Sequence, residues 1–400
     1  MLMEWLSLGA IALLSIIWAE LVRDSYHVLS HFWKPLYRLH QIHHRVFRTD
    51  LTVIDEQLYR RSQWQNDVPE CGIMLLGSLF PWLLVSHWIA FTGSVYALGF
   101  LLGAIARGSG LPYADALTEI THRPGEFTAI PGQWRVNRPY HWRHHFDSQK
   151  AYYCSTFPLI DKLFGTALSL KKKRVAVTGA SGTLGKAFLE ALRDRGAKVT
   201  AITSKTDPII LDDETSINTL TWEVGKETEL ADALEKIDIL ILNHGINVHG
   251  ERTETAIYNS YEVNAFSSWR LLEQFLKTIR NNEDKVRKEI WVNTSEAEVS
   301  PALSPLYELS KRTLGDLITL RRLDSPCVIR KIILGPFKSN LNPIGVMSAS
   351  WVAKQVVNLA VRDFRNIVVT INPVTYLLVP VKEFCVATYF KLFSHGAKGE

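Results

Sequence analysis

The apolar positions along this chain follow two regimes. Up to about residue 170 they come in long uninterrupted blocks. Residues 5–19 carry no charge between Glu4 and Glu20, and residues 71–106 contain no Asp, Glu, Lys or Arg. The first block, extended by Leu21 and Val22, approaches the roughly 20 residues that cross a bilayer, with an interfacial helix as the alternative. The second block suits two spans of about 27 Å each at about 1.5 Å per residue, turning near Thr92-Gly93. A hairpin returns to the side it left, so the residues before and after it share one face of the membrane. The opening MLMEWLSLGAIALLSIIWAE lacks a basic leader and a small-residue cleavage site, and reads as retained.

Beyond Lys171-Lys172-Lys173-Arg174 the apolar runs shorten. VAVTG (175–179), KVTAIT (198–203), IDILILN (237–243), EIWVNTS (289–295) and CVIRKIILG (327–335) read as buried strands, with amphipathic segments at 186–195, 227–236 and 261–280 between them. That alternation predicts a parallel sheet with helices on both faces. The expected architecture has an all-α membrane domain over 1–170 and an α/β, doubly wound domain over 171–373. An apolar helix and tail follow at 374–400, interrupted by Pro380, Lys382 and Glu383 and read as interfacial.

Composition narrows the chemistry. The net charge of +5 comes without a basic tail, so nucleic acid is not an expected partner. The four cysteines (Cys71, Cys154, Cys327, Cys385) are scattered and form no CxxC, which argues against a disulfide scaffold and a thiolate metal site. Arginines crowd the segments flanking the hairpin and are absent from the extreme N-terminus, which places the flanking side in the cytoplasm.

Eight of the thirteen histidines fall in three short motifs: His27/His31, His40/His43/His44 and His141/His144/His145. On a helix, positions i, i+3 and i+4 share a face, so each motif projects its imidazoles to one side. Imidazole suits iron, zinc, copper or nickel, and eight such groups on one membrane face suffice for two ions. His122 is a further candidate ligand; His87, His249 and His395 read as structural or surface residues. HVLSH, HQIHH and HWRHH, with IDKLFGT (160–166) after them, resemble the fatty acid hydroxylase/sterol desaturase superfamily over about residues 5–168. That resemblance implies two iron ions, O2 as co-substrate, a lipid substrate (fatty acyl, fatty aldehyde or sterol-like) and an external electron-transfer protein. HHRVF replaces the HHSP of many members, which leaves the substrate class open.

TGASGTLG (178–185) follows a strand and opens a helix, a setting in which backbone amides and the helix N-terminus meet a pyrophosphate. Thr178, Gly179, Ser181, Gly182, Thr183, Leu184 and Gly185 are the candidate cradle, joined by Asn243 and Gly245. Together with Asn264 and the Y-x3-K pair Tyr307/Lys311, they resemble the short-chain dehydrogenase/reductase superfamily across 173–345, a Rossmann-like fold. The resemblance implies Tyr307 as general acid/base, its pKa lowered by Lys311, with Ser295 orienting a carbonyl and Asn264 holding a water relay. Counting from Asn293, the usual serine position holds Glu296, and Ser295 lies one residue short. Ser204 and Lys205, where an acid would otherwise bind ribose hydroxyls, favour NADP(H) over NAD(H).

The two halves together suggest O2-dependent hydroxylation or desaturation of a lipid C–H bond, coupled to NADP-linked alcohol/carbonyl interconversion. The layout also resembles plant wax-alkane aldehyde decarbonylases, and a purely regulatory nucleotide-binding half is the non-enzymatic alternative.

Overall fold

The computed structural model describes residues 1–396 and divides into two compact units, Met1–Leu168 and Ser169–Glu400. In the first unit, among the described residues, three helices are long and apolar enough to cross a membrane: Met3–Phe32, Glu56–Val85 and Trp88–Gly108. The first lies in a single α-helix, α1 (Leu2–Phe32), which runs past Glu20, Arg23 and Asp24 to carry the first histidine pair. The second begins at Glu56 rather than Cys71. It contains a π-helical turn at Gln63–Asp67.

The hairpin turns at Ser86-His87, not at Thr92-Gly93. Ser86 adopts a left-handed backbone (φ 51°) and the His87 side chain caps the next turn by accepting from the Ile89 amide at 3.2 Å. Gly93 instead lies in helix α2 (Thr92–Gly108), where it serves close packing: a Cβ there would sit 2.3 Å from the Ser15 carbonyl oxygen. Gly77 does the same against Val22, where a Cβ would approach to 2.7 Å. Small residues at such crossings let apolar helices approach where no hydrophobic drive holds them together. Ala19, Met74 and Ala97 fill the contact.

In the second unit eight strands are described: β1 (Arg174–Thr178), β2 (Lys198–Thr203), β3 (Ile209–Ile210), β4 (Ser216–Thr221), β5 (Ile239–Leu242), β6 (Glu289–Ser295), β7 (Val328–Leu334) and β8 (Asn366–Val369). They form one sheet in the order β3-β4-β2-β1-β5-β6-β7-β8, parallel except for the β3–β4 pair. The sequence pattern reveals the five strands at its centre. It misses β3, β4 and β8, which lie toward the edges, are short or carry polar residues, and so lack a continuous apolar run. The direction of winding reverses between β1 and β5, which leaves a crevice beyond their carboxyl ends. Ile290, Val292, Leu240, Leu271 and Phe275 lie in the core on one face of the sheet.

The C-terminal helix α3 (Pro373–Phe393) belongs to this unit. The Lys382 and Glu383 that interrupt its apolar pattern turn inward. Glu383 pairs with Lys331 of β7 at 2.6 Å, and Lys382 with Glu298 at 2.6 Å and Asp316 at 2.8 Å. Its opposite face exposes Leu377, Val381 and Phe384.

Candidate functional site

The nine candidate metal-ligating histidines come together in the first unit. His27, His31, His40 and His144 form one group; His43, His122, His141 and His145 form another, with the ligand atoms in each within 4.8 Å of one another. The Nε2 atoms converge: His27 and His31 lie 3.1 and 3.2 Å from His144, and His122 lies 3.0 Å from both His141 and His145. His44 sits 2.9 Å from His40, with rings about equally near His144 and His145.

Local structure explains this sorting. The third motif lies on the helix Arg138–Phe146, capped by Asn137, and all its imidazoles are buried. His144 nonetheless joins one group while His141 and His145 join the other. The second motif departs from a single helix face. The helix Lys34–His40 ends at His40, and His43 and His44 follow in a 3₁₀ turn. Each group therefore draws on several motifs, a partition that spacing alone does not encode.

The donor set fits metal ions. Packed Nε2 atoms around a common centre are the arrangement that ligation uses, and several of the opposite ring nitrogens are fixed by polar partners. His40 Nδ1 meets Asn66 Oδ1 at 2.8 Å, His122 Nδ1 meets Glu119 Oε1 at 2.6 Å, and His144 Nδ1 meets the Ala151 carbonyl at 2.8 Å. Burial pushes the imidazole pKa down to about 4 at His40 and about 3 at His144, and well below the usual range at His43, His141 and His145. The imidazoles are thus neutral and free to ligate. Asn66 and Glu119 are not singled out in the sequence. The three-residue spacing of Glu119 and His122 is a usable signal for the second; Asn66 lies in the π-turn, whose altered phase hides it.

In the second unit the nucleotide candidates gather at the crevice. Gly179 has φ 61°, and a Cβ there would stand 2.8 Å from His244 Cα. A Cβ on Gly185 would meet the Gly179 carbonyl oxygen at 2.3 Å, so the helix Thr183–Asp194 packs directly on the turn that precedes it. Ser181 accepts from the Thr203 hydroxyl at 2.9 Å, while Ser204 and Lys205 stay exposed. Thr178 Oγ1 accepts from the Asn243 amide at 2.9 Å and lies 2.8 Å from His244 Nδ1. His244 also reaches Ser267 at 2.7 Å, a tie between strand end and helix that sequence reading passed over.

Ser295 and Glu296 part company at the end of β6. Ser295 Oγ accepts from the Ala297 amide at 3.2 Å and lies near enough to the Tyr307 phenol to favour its ionised form. Glu296 turns away to accept from the hydroxyls of Thr370 (2.5 Å) and Thr375 (3.3 Å) at the start of α3. The helix Pro305–Arg321 carries both Tyr307 and Lys311, with the ammonium 5.9 Å from the Tyr307 ring centre. Lys311 Nζ donates to the Asn293 carbonyl at 3.2 Å. Burial raises the Tyr307 pKa and the Ser295 hydroxyl opposes the rise, so the lowering that the resemblance implied is not seen. Burial also draws Lys311 down to about 8. Asn264, in a second π-turn at Glu262–Phe266, clamps Ile246 through its amide (2.8 Å) and carbonyl (3.0 Å) beside Gly245.

Residues 12–166 match the Fatty acid hydroxylase family and residues 173–324 the short chain dehydrogenase family. The whole chain is similar to the monoglucosyldiacylglycerol epimerase of Synechocystis sp. (strain ATCC 27184 / PCC 6803 / Kazusa): 56% identical over 407 residues, covering 98% of this chain and 99% of that one. Among solved structures it is similar to a short chain dehydrogenase from Burkholderia cenocepacia J2315 in complex with NADP. The identity is 18% and the TM-score 0.44, over 57% of this chain and 100% of that one. A ligand-free aldohexose dehydrogenase from Thermoplasma acidophilum gives 17% identity and a TM-score of 0.41, over 50% and 93%.

Proposed function

This chain belongs to the family of enzymes that fuse a fatty acid hydroxylase half to a short chain dehydrogenase half, and from that premise we propose that it epimerises the sugar headgroup of a membrane glycolipid. The observation that carries this reading is the full-length match to a monoglucosyldiacylglycerol epimerase. The pairing of Ser295 with Tyr307 beside Lys311 supports it. Inverting a hydroxyl-bearing carbon requires its hydrogen to be lifted from one face and returned to the other. A nicotinamide cofactor, NADP favoured over NAD, supplies hydride acceptance and return when bound in the Gly179–Gly185 cradle. Tyr307 takes the hydroxyl proton as the carbon becomes a ketone and gives it back as the carbon is reduced, held in place by Ser295 and steadied by Lys311. Asn264 fixes the backbone below them. Substrate and product are isomers, so this chemistry consumes no outside oxidant.

The test incubates purified full-length protein with monoglucosyldiacylglycerol and NADP or NAD, then releases and identifies the hexose. A second epimer is expected, and Tyr307→Phe lowers its rate by about 100-fold or more. An unchanged hexose overturns the reading.

A second reading rests on the two histidine groups. With two iron ions bound, they would supply O2-dependent oxidation of a lipid C–H bond, drawing electrons from a separate protein. The same incubation supplemented with iron, O2 and a reduced electron-transfer protein separates the two readings, because epimerisation leaves the lipid mass unchanged whereas hydroxylation adds an oxygen atom and desaturation removes two hydrogens. For both, the lipid is met at the membrane and the sites lie on its cytoplasmic side.

A further inference from the structure

A cavity of about 550 Å³, within the size range of small-molecule sites, is lined on one side by His27, His40, His43, His122 and His141 of the two histidine groups. Its inner wall is charged. Arg23 donates to Glu70 at 2.9 Å, and Arg107 lies 3.3 Å from Glu119 and 3.6 Å from Asp67. Four of these five residues stand on the three apolar helices, where charge is costly unless it faces a cavity that uses it. Its outer parts are different: Val95, Leu117 and Ile120 line it and are 69, 75 and 60% exposed, with Gly99 exposed among them.

We propose that this cavity binds the uncharged polyhydroxyl headgroup of a glycolipid, with the acyl chains leaving over Val95, Leu117 and Ile120. An acyl chain drawn inside would strip water from the ion pairs and return no hydrogen bond. A sugar ring offers donors and acceptors all round. Each carboxylate has more acceptor positions than one arginine fills. The Phe100 ring, already 4.7 Å below the Arg23 guanidinium, supplies an apolar wall for a pyranose face. Two guanidiniums face three carboxylates in the interior, and the third lining arginine, Arg135, is exposed, so the interior is not the cationic site that a phosphate headgroup requires. The cavity is built from residues of the first unit alone, and its assignment rests on the epimerase reading only for the choice of glucose as the probe sugar.

The test is photolabelling of the full-length protein with monoglucosyldiacylglycerol carrying a diazirine on the sugar, followed by peptide mapping. Label is expected on peptides within residues 60–122, competed by unlabelled glucolipid and not by diacylglycerol or phosphatidylglycerol. Two variants lower it at least tenfold with unchanged metal content. Gly99→Leu projects into space where a Cβ meets nothing within 4 Å, and the double variant Arg23→Met/Glu70→Met removes a charge pair without stranding either member. Absence of label from this segment, equal competition by diacylglycerol or phosphatidylglycerol, or full labelling of Gly99→Leu overturns the proposal. The map is read from unit 1 peptides whether or not a hexose epimer forms, so it and the epimerase reading fail separately.

Discussion

Ser295 is the last residue of β6 and caps the 3₁₀ turn Glu296–Glu298, so the chain changes direction between the two side chains. Only Ser295 reaches the phenol, and Glu296 is committed to Thr370 and Thr375. Ser295→Ala is therefore expected to lower hexose epimerisation about 100-fold, while Glu296→Gln keeps most of the rate; steady-state kinetics on the two variants checks this. Lys311 gives a pH signature. Its folded pKa of about 8 lies below its unfolded value, so folding penalises the charged form. That penalty is complete below about pH 8 and fades as pH rises from there toward the unfolded value. Lys311→Met is expected to stabilise the second unit at pH 7 by on the order of 3 kcal/mol and to give no gain near pH 10.5, measured by urea unfolding at the two pH values. Residue identities such as Tyr307, Lys311 and the histidines were legible because each motif is local. Whether Ser295 or Glu296 faces the phenol was not, because it depends on the residue at which β6 ends and the 3₁₀ turn begins.

Elements carry a different record. The five central strands announce themselves as apolar runs, whereas Asn66 and Asn264 sit in π-turns, where one extra residue breaks the 3.6-residue phase. Helix α3 shows how pattern misleads. Lys382 and Glu383 look like breaks in an apolar stretch, yet they dock the helix against Lys331, Glu298 and Asp316. Lys331 is fully buried between Glu298 and Glu383, each 2.6 Å from its ammonium, so removing Glu383 leaves that charge with one of its two partners and opens a polar void beside it. Glu383→Ala is expected to cost about 3 kcal/mol. The double variant Lys331→Met/Glu383→Met recovers most of that loss, as denaturant midpoints will report. The histidine sorting belongs to this scale too: the helix break at Gln41 sends His40 and His43 to different groups, and periodicity does not foresee where a short helix stops.

Across the whole molecule, hydropathy foresaw the number of apolar crossings but not where each starts, because polar positions such as Gln63 and Asp67 sit within the second helix. If the three apolar helices each cross the bilayer, the histidine motifs and the chain after Gly108 share one side. Cys385 is exposed while Cys71, Cys154 and Cys327 are buried, which makes it a native reporter of sidedness. A membrane-impermeant maleimide is expected to label Cys385 in inside-out vesicles and to leave it untouched in right-side-out ones. The charges of α1 bear on how the protein is made. Tyr96 of the third apolar helix donates to Glu20 at 2.6 Å, Arg23 pairs with Glu70 of the second, and the Ser155 amide donates to Asp24 at 3.0 Å. None of these partners exists when α1 first leaves the ribosome. Each bare charge costs about 3 kcal/mol at the centre of a spanning helix. The first helix is therefore expected to insert stably only together with the second and third, and a chain truncated after residue 55 is expected to be extracted from membranes by alkaline carbonate while the full chain is not.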